Sequence, residues 1–114
     1  MFPFNKTQRL LTKKDYDFVF QRARKIVTGE FIVLYRANNL SHARLGLAIS
    51  KKMVAKAHDR NRIKRLLRES FRKKALPAVD IIFLARTGLV KKDNTEIHSK
   101  LSTLWVQLTS YHEK

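Results

Sequence analysis

Between residues 59 and 74 the sequence reads DRNRIKRLLRESFRKK, setting Arg60, Arg62, Lys64, Arg65, Arg68, Arg72, Lys73 and Lys74 beside only Asp59 and Glu69. Cationic side chains at this density do one kind of chemistry well. They bind phosphate, and Arg does so through a planar fork that can grip two oxygens at once. A helix face built only for solubility mixes its signs so that residues three and four apart attract. Here Asn61, Lys64, Arg65, Arg68 and Arg72 form a ridge relieved only by Glu69. Such a ridge calls for a polyanionic partner to offset its repulsion.

The other side chains that could act chemically are Asp15, Asp17, Asp59, Asp80, Asp93, His42, His58, His98 and His112, and none forms a recognised catalytic or metal-binding spacing. Asp15 and Asp59 suit helix starts, Asp80 a strand edge, and the histidines surface positions. Cys is absent, which removes disulfides, thiolate metal sites and a cysteine nucleophile. The expectation is therefore no catalytic residue and no metal bound by the protein itself.

The chain has 114 residues, 25 Lys and Arg against 9 Asp and Glu, and a formal charge of +16. That length suits one domain with one core, and nucleic acid is the partner the charge favours. A membrane surface is not expected, because no long amphipathic segment pairs these bases with an unburied apolar face. The opening MFPFNKTQRLL lacks the apolar run of a signal peptide, and no stretch approaches membrane-spanning length. A cytoplasmic location is expected, with residues 1–10 as a mobile basic arm.

The elements that must carry the ridge follow from periodicity. Thr12 and Asp15 form a capping-box variant, after which Tyr16, Val19 and Phe20 share one face of a helix running to about Arg22. Residues 26–38 are rich in β-formers, with Phe31, Val33 and Tyr35 on one face of a strand and Ile32 and Leu34 on the other. SHARLGLAIS gives a second strand, with Gly46, Ala48 and Ser50 on a nearly flat side that leaves room for a ligand across it. In the basic helix, Ile63, Leu66, Leu67, Ser70 and Phe71 make the buried stripe. Pro77 ends that region, DIIFLAR reads as a well-covered strand, and a last helix from Asp93–Glu96 buries Ile97, Leu101, Leu104, Trp105 and Leu108. This order gives an α+β sandwich.

DNA is not the expected target. No helix stands just before the basic helix to make a helix-turn-helix, and no heptads make a basic zipper. Structured RNA fits better, since an Arg-studded helix reads backbone and shape. Tyr16, Phe20 and Tyr35 have an ordinary reading as core residues and a competing one as stacking platforms for unpaired nucleotides. A ribosomal or RNA-chaperone module would share these features, whereas a protein-only nuclease would need the carboxylate cluster that is missing.

RLGLAISKKMVAKAHDRNRIKRLLRESFR resembles the signature region of the bacterial ribonuclease P protein subunit, above all in Arg60-Asn61-Arg62-Ile63-Lys64-Arg65 followed by Arg68. LTKKDYDFVF resembles the family's first helix and FIVLY its aromatic strand, so the similarity runs from about Leu10 to Arg86. The resemblance implies a single-domain α+β sandwich in the order α-β-β-β-α-β-α, with a left-handed crossover and a ribosomal-protein-like fold. It implies a subunit that binds a catalytic RNA and precursor tRNA while that RNA, using Mg2+, removes the 5′ leader. Carried over by motif, Lys51, Lys52, Arg60, Asn61, Arg62, Lys64, Arg65 and Arg68 would face the RNA subunit, with Arg72 continuing the ridge. Tyr16, Phe20, Val33, Tyr35, Ser50 and Lys52 would line a cleft for the leader. His58 stands where many members carry an aliphatic residue, a departure that implies either altered packing at the helix start, the preferred reading, or a pH-sensitive donor to RNA.

Overall fold

The computed structural model describes residues 8–110. Helix α1 (Lys13–Gln21) opens on the expected capping box: the Asp15 N–H donates to Thr12 Oγ1, and the Thr12 N–H donates to Asp15 Oδ2, each at 3.2 Å. The stretch of β-formers that follows is a hairpin of β1 (Arg24–Val27) and β2 (Phe31–Ala37). Thr28 Oγ1 closes its turn by accepting from the N–H groups of Glu30 and Phe31 at 3.2 and 3.1 Å. Then come β3 (Arg44–Ala48), α2 (Ala57–Arg72), β4 (Val79–Ala85), a 3-10 turn (Thr87–Leu89) and α3 (Asn94–Thr109).

The sheet runs β1-β2-β4-β3, with β4 antiparallel to β2 and parallel to β3. The order is α-β-β-β-α-β-α, and α2 is the crossover that parallel neighbours require. Central placement explains why β4 is apolar on both faces: Ile81 and Phe83 enter one core and Ile82 the other, all fully buried.

Strand alternation separates two cores. On one face Phe31, Val33, Leu45, Ile81 and Phe83 pack beneath the stripes of α2 and α3, including Ile63, Leu67, Leu101 and Trp105. On the other, Val19 of α1 packs with Leu10 and Ile82, flanked by Tyr16, Phe18 and Leu34. Ser70 interrupts the apolar stripe of α2 for a reason: Trp105 Nε1 donates to its hydroxyl at 2.6 Å, satisfying a buried indole.

Two expectations need correction. Arg9 and Leu10 do not belong to a mobile arm, because Arg9 bridges Leu45 and the Leu10 N–H donates to the Leu45 carbonyl at 3.2 Å, with Leu10 buried. Residues 1–7 of that segment lie outside the described residues. Asp80 is not at a strand edge: it lies on the central strand β4 and is fully buried, its carboxylate held by Arg44 Nε and Nη2 at 2.8 and 2.6 Å and by Asn38 Nδ2 at 2.8 Å. A buried carboxylate is tolerable only when paired and hydrogen-bonded in this way.

Candidate nucleic-acid interface

Burying Ile63, Leu66, Leu67 and Phe71 against the sheet turns Asn61, Arg65 and Arg68 outward, where all three are exposed. The two flanks of α2 then face different surroundings. Lys64 and Arg68 overlook a groove with Arg9, Tyr16, Gly46 and Leu47, beside the outer strand β3. Arg62 points to the opposite flank, toward the entry to α3, where its guanidinium donates to Asn94 Oδ1 at 2.7 Å and to the carbonyls of Val90 and Lys92 at 3.3 and 3.4 Å.

Not every base of the motif is therefore free to meet phosphate. Arg62 ties α2 to the loop before α3, and Arg60 donates to the carbonyls of Val54 and Ala55 at 3.0 and 2.9 Å, tying α2 to the loop that precedes it. That loop carries Lys51 and Lys52, both exposed, and its turn is set by Ser50 Oγ accepting from the Met53 N–H at 3.2 Å. Arg72 is half-buried, and its Nε meets no acceptor among the described residues. His58 is exposed and pairs with Asp59 at 3.2 Å rather than packing at the helix start.

The six residues expected to line one cleft do not share one face: Tyr16 lies on one side of the sheet, Val33 and Tyr35 on the other, and Ser50 and Lys52 in the loop after β3. Tyr16 lies on the α1 face, where its ring covers Gly46; a Cβ built at Gly46 would sit 2.7 Å from the Tyr16 hydroxyl. The flat side of β3 is thus filled at Gly46 by an aromatic ring and stays open beyond it, where Ala48 and Ser50 are exposed. Phe20, one turn along α1, is 54% exposed. Val33 is fully buried in the core beneath α2 and α3, and half-buried Tyr35 packs against that same core. Their alternation was legible; the helices covering that face were not.

Burial pushes the Tyr16 phenol above its ordinary value of 10.0, opposed by the Leu47 backbone N–H that bonds to its oxygen. At neutral pH it is thus a protonated hydroxyl at the groove wall. Asp15, the next residue back, joins α1 to the sheet through Arg44, whose Nη1 lies 3.4 Å from Asp15 Oδ1 while its other nitrogens hold Asp80. Arg9 and Arg44 were not singled out from the sequence; only their charge marked them.

No three of the described His, Asp and Glu residues gather as a metal site would require. Asp15 serves a helix cap and Arg44, and Asp80 is enclosed by Arg44 and Asn38. These carboxylates do not fit a metal centre. No helix among the described residues is long and apolar enough to cross a membrane.

A groove and a helix face rich in bases do not by themselves name the family the chain belongs to. The family model described as Ribonuclease P matches residues 4–109. The chain belongs to the bacterial ribonuclease P protein family. The ribonuclease P protein component of Legionella pneumophila (strain Lens) is 66% identical over 114 residues, covering 100% of both chains. That of Pseudoalteromonas atlantica is 44% identical over 97% of this chain and 94% of its own. Among solved structures, the ribonuclease P protein of Staphylococcus aureus superposes with a TM-score of 0.81 at 29% identity, covering 92% of this chain and 97% of that one. The Thermotoga maritima ribonuclease P protein, solved in complex with 1-(4-fluorophenyl)-2-thiourea, gives 0.78 at 31% identity over 91% and 100%. The family's fold and the sandwich described above are one and the same.

Proposed function

We propose that this chain is the protein subunit of a ribonuclease P ribonucleoprotein, binding the catalytic RNA and the 5′ leader of precursor tRNA and so assisting endonucleolytic 5′ maturation of tRNA. The observation that carries this reading is the outward face of α2, where Asn61, Arg65 and Arg68 stand exposed and Lys64 and Arg68 overlook the Tyr16 groove. Each phosphate neutralised there releases condensed counterions, so assembly relieves the charge that the free chain carries.

The residues divide the work. Asn61, Lys64, Arg65 and Arg68, extended by Lys51 and Lys52, engage phosphates of the RNA subunit. Tyr16 at the groove wall and exposed Phe20 engage the unpaired leader, where an aromatic face gains about 1–3 kcal/mol per stacked base. Arg60 and Arg62 hold the flanking loops in place. Hydrolysis, with the Mg2+ it requires, is assigned to the RNA subunit, since no three of the described His, Asp and Glu residues gather where they could hold the metal. By holding leader and RNA together, the protein adds substrate contact remote from the reacting bond. The reaction is placed in the cytoplasm, with neither DNA nor membrane as partner.

The test is cleavage of a precursor tRNA at low magnesium by a bacterial ribonuclease P RNA, with and without this protein, beside a lane of protein alone. Stimulated cleavage at the mature 5′ end with an inactive protein lane is the expected result. Binding without stimulation would leave a chaperone-like role, and cleavage by the protein alone would overturn the assignment of chemistry to RNA.

A further inference from the structure

The flank of α2 that faces away from the Tyr16 groove holds a second cavity that the proposed function does not use. It lies between the C-terminal end of α2 and the outer side of α3, has a volume of about 300 Å³, and is lined by Ser70, Lys73, Lys74, His98, Ser102, Trp105 and Val106. None of its lining residues is acidic. No ion pair among the described residues involves Lys73, Lys74 or His98.

The hydroxyl of Ser70 sharpens the chemistry. It already accepts from Trp105 Nε1 at 2.6 Å, so its own hydrogen is what it can offer to a ligand. Ser102 and His98 face it from α3, one turn apart. Lysines at a helix C-terminus have an ordinary explanation, because the dipole there favours cations. That explanation covers Lys73 and Lys74 but not the hydroxyls and imidazole on the opposite wall, which belong to a different helix.

We propose that this cavity is a second phosphate-binding site, taking a phosphodiester of an RNA backbone on the flank of α2 opposite the Tyr16 groove. The inference rests on the RNA-binding role proposed above and extends it: α2 becomes a ridge with RNA on both sides. Lys73 and Lys74 supply charge, Ser70 and Ser102 supply directed hydroxyl donors, and His98 closes the α3 wall. Trp105 is almost wholly buried, so it forms a floor and not a stacking surface.

The test pairs two double substitutions that each remove two positive charges. Lys73→Gln with Lys74→Gln alters the cavity, and Lys25→Gln with Lys91→Gln removes exposed charges elsewhere. Binding to ribonuclease P RNA and to precursor tRNA is measured separately over a salt series, and each folded state is checked by melting. The cavity pair is expected to lower the salt slope by about 0.7 to 0.9 for each phosphate no longer neutralised, against one of the two RNAs, and to do so more than the control pair. Ser102→Asp, which sets a carboxylate in the cavity at an exposed position, is expected to weaken the same RNA. Titration of the free protein with inorganic phosphate should shift the His98 imidazole resonances saturably while leaving those of His58 in place.

Equal slopes for the two double variants, with an unresponsive His98, would overturn the site and leave only a general field effect. Failure of the unaltered protein to bind either RNA would instead overturn the reading on which the site rests.

Discussion

The Tyr16 ring occupies the space into which a side chain at Gly46 would project, with its Cε1 and Cζ atoms 2.9 Å from where a Cβ would lie. Gly46 does not have a positive φ, so its backbone would accept alanine and the obstacle is contact alone. Gly46→Ala is expected to push Tyr16 and α1 off the sheet and to cost about 1–3 kcal/mol in a denaturant melt. Combining it with Tyr16→Ala should cost less than the sum of the two single changes. Strict additivity would mean that the two residues do not share this contact.

Arg62 spans three acceptors, two carbonyls on the loop before α3 and Oδ1 of Asn94 at the start of α3, which a lysine cannot reproduce. Both Arg62→Lys and Arg62→Met are expected to lose about 1–3 kcal/mol of stability, with only a small change in the salt slope of RNA binding. Full stability in Arg62→Lys would show that its charge, and not its forked geometry, is what counts.

Arg65 and Arg68 are exposed and make no hydrogen bond or ion pair among the described residues. Their replacement by alanine should leave stability within about 0.5 kcal/mol. RNA affinity should fall, and its salt slope should flatten by about 0.7 to 0.9 per phosphate left without its cation. An unchanged slope would remove them from the interface.

Phe20→Ala separates leader contact from packing. With the side chain 54% exposed, the melt should barely move. Affinity for leader-bearing precursor should drop by roughly the worth of one stacked base, about 1–3 kcal/mol, while mature tRNA is bound as before. An equal loss for both RNAs would place Phe20 outside the leader site.

The capping box carries a pH signature. Burial raises the pKa of Asp15, but the N–H groups of Leu11 and Thr12 and the Arg44 guanidinium outweigh it and hold the carboxyl below its ordinary 3.8. A lowered folded-state pKa means that the stabilisation is present above 3.8 and lost as pH falls through the folded value. Asp15→Asn should therefore be less stable than the unaltered protein at pH 7, and the gap should close in acid. A gap of the same size in strong acid would assign the effect to shape and not charge.

The readable parts of this protein are those fixed over short distances along the chain. The Thr12–Asp15 cap, the α2 stripe from Ile63 to Phe71 and the α3 stripe from Ile97 to Leu108 each depend on neighbours three or four residues away, and all are present. Whether Arg62 meets phosphate or a carbonyl of residue 90 is set by tertiary packing, which composition does not encode. The same holds for Val33, whose alternation with Phe31 and Tyr35 is plain in the sequence but whose covering layer comes from residues 63–108. Asp80 eluded the sequence reading because its partner Arg44 lies on another strand.

The strand order has a bearing on how the chain is made. β4 lies between β2 and β3 although it is synthesised after both, so the four-stranded sheet cannot close until residues 79–85 have left the ribosome. Until then β2 and β3 each have an unpaired edge, and the stripe of α2 has no floor to cover. Pairings this distant in sequence are slow to form and leave sticky intermediates. The surplus of positive charge, which the proposed function assigns to holding RNA, would also keep unfinished copies apart while they wait for their central strand.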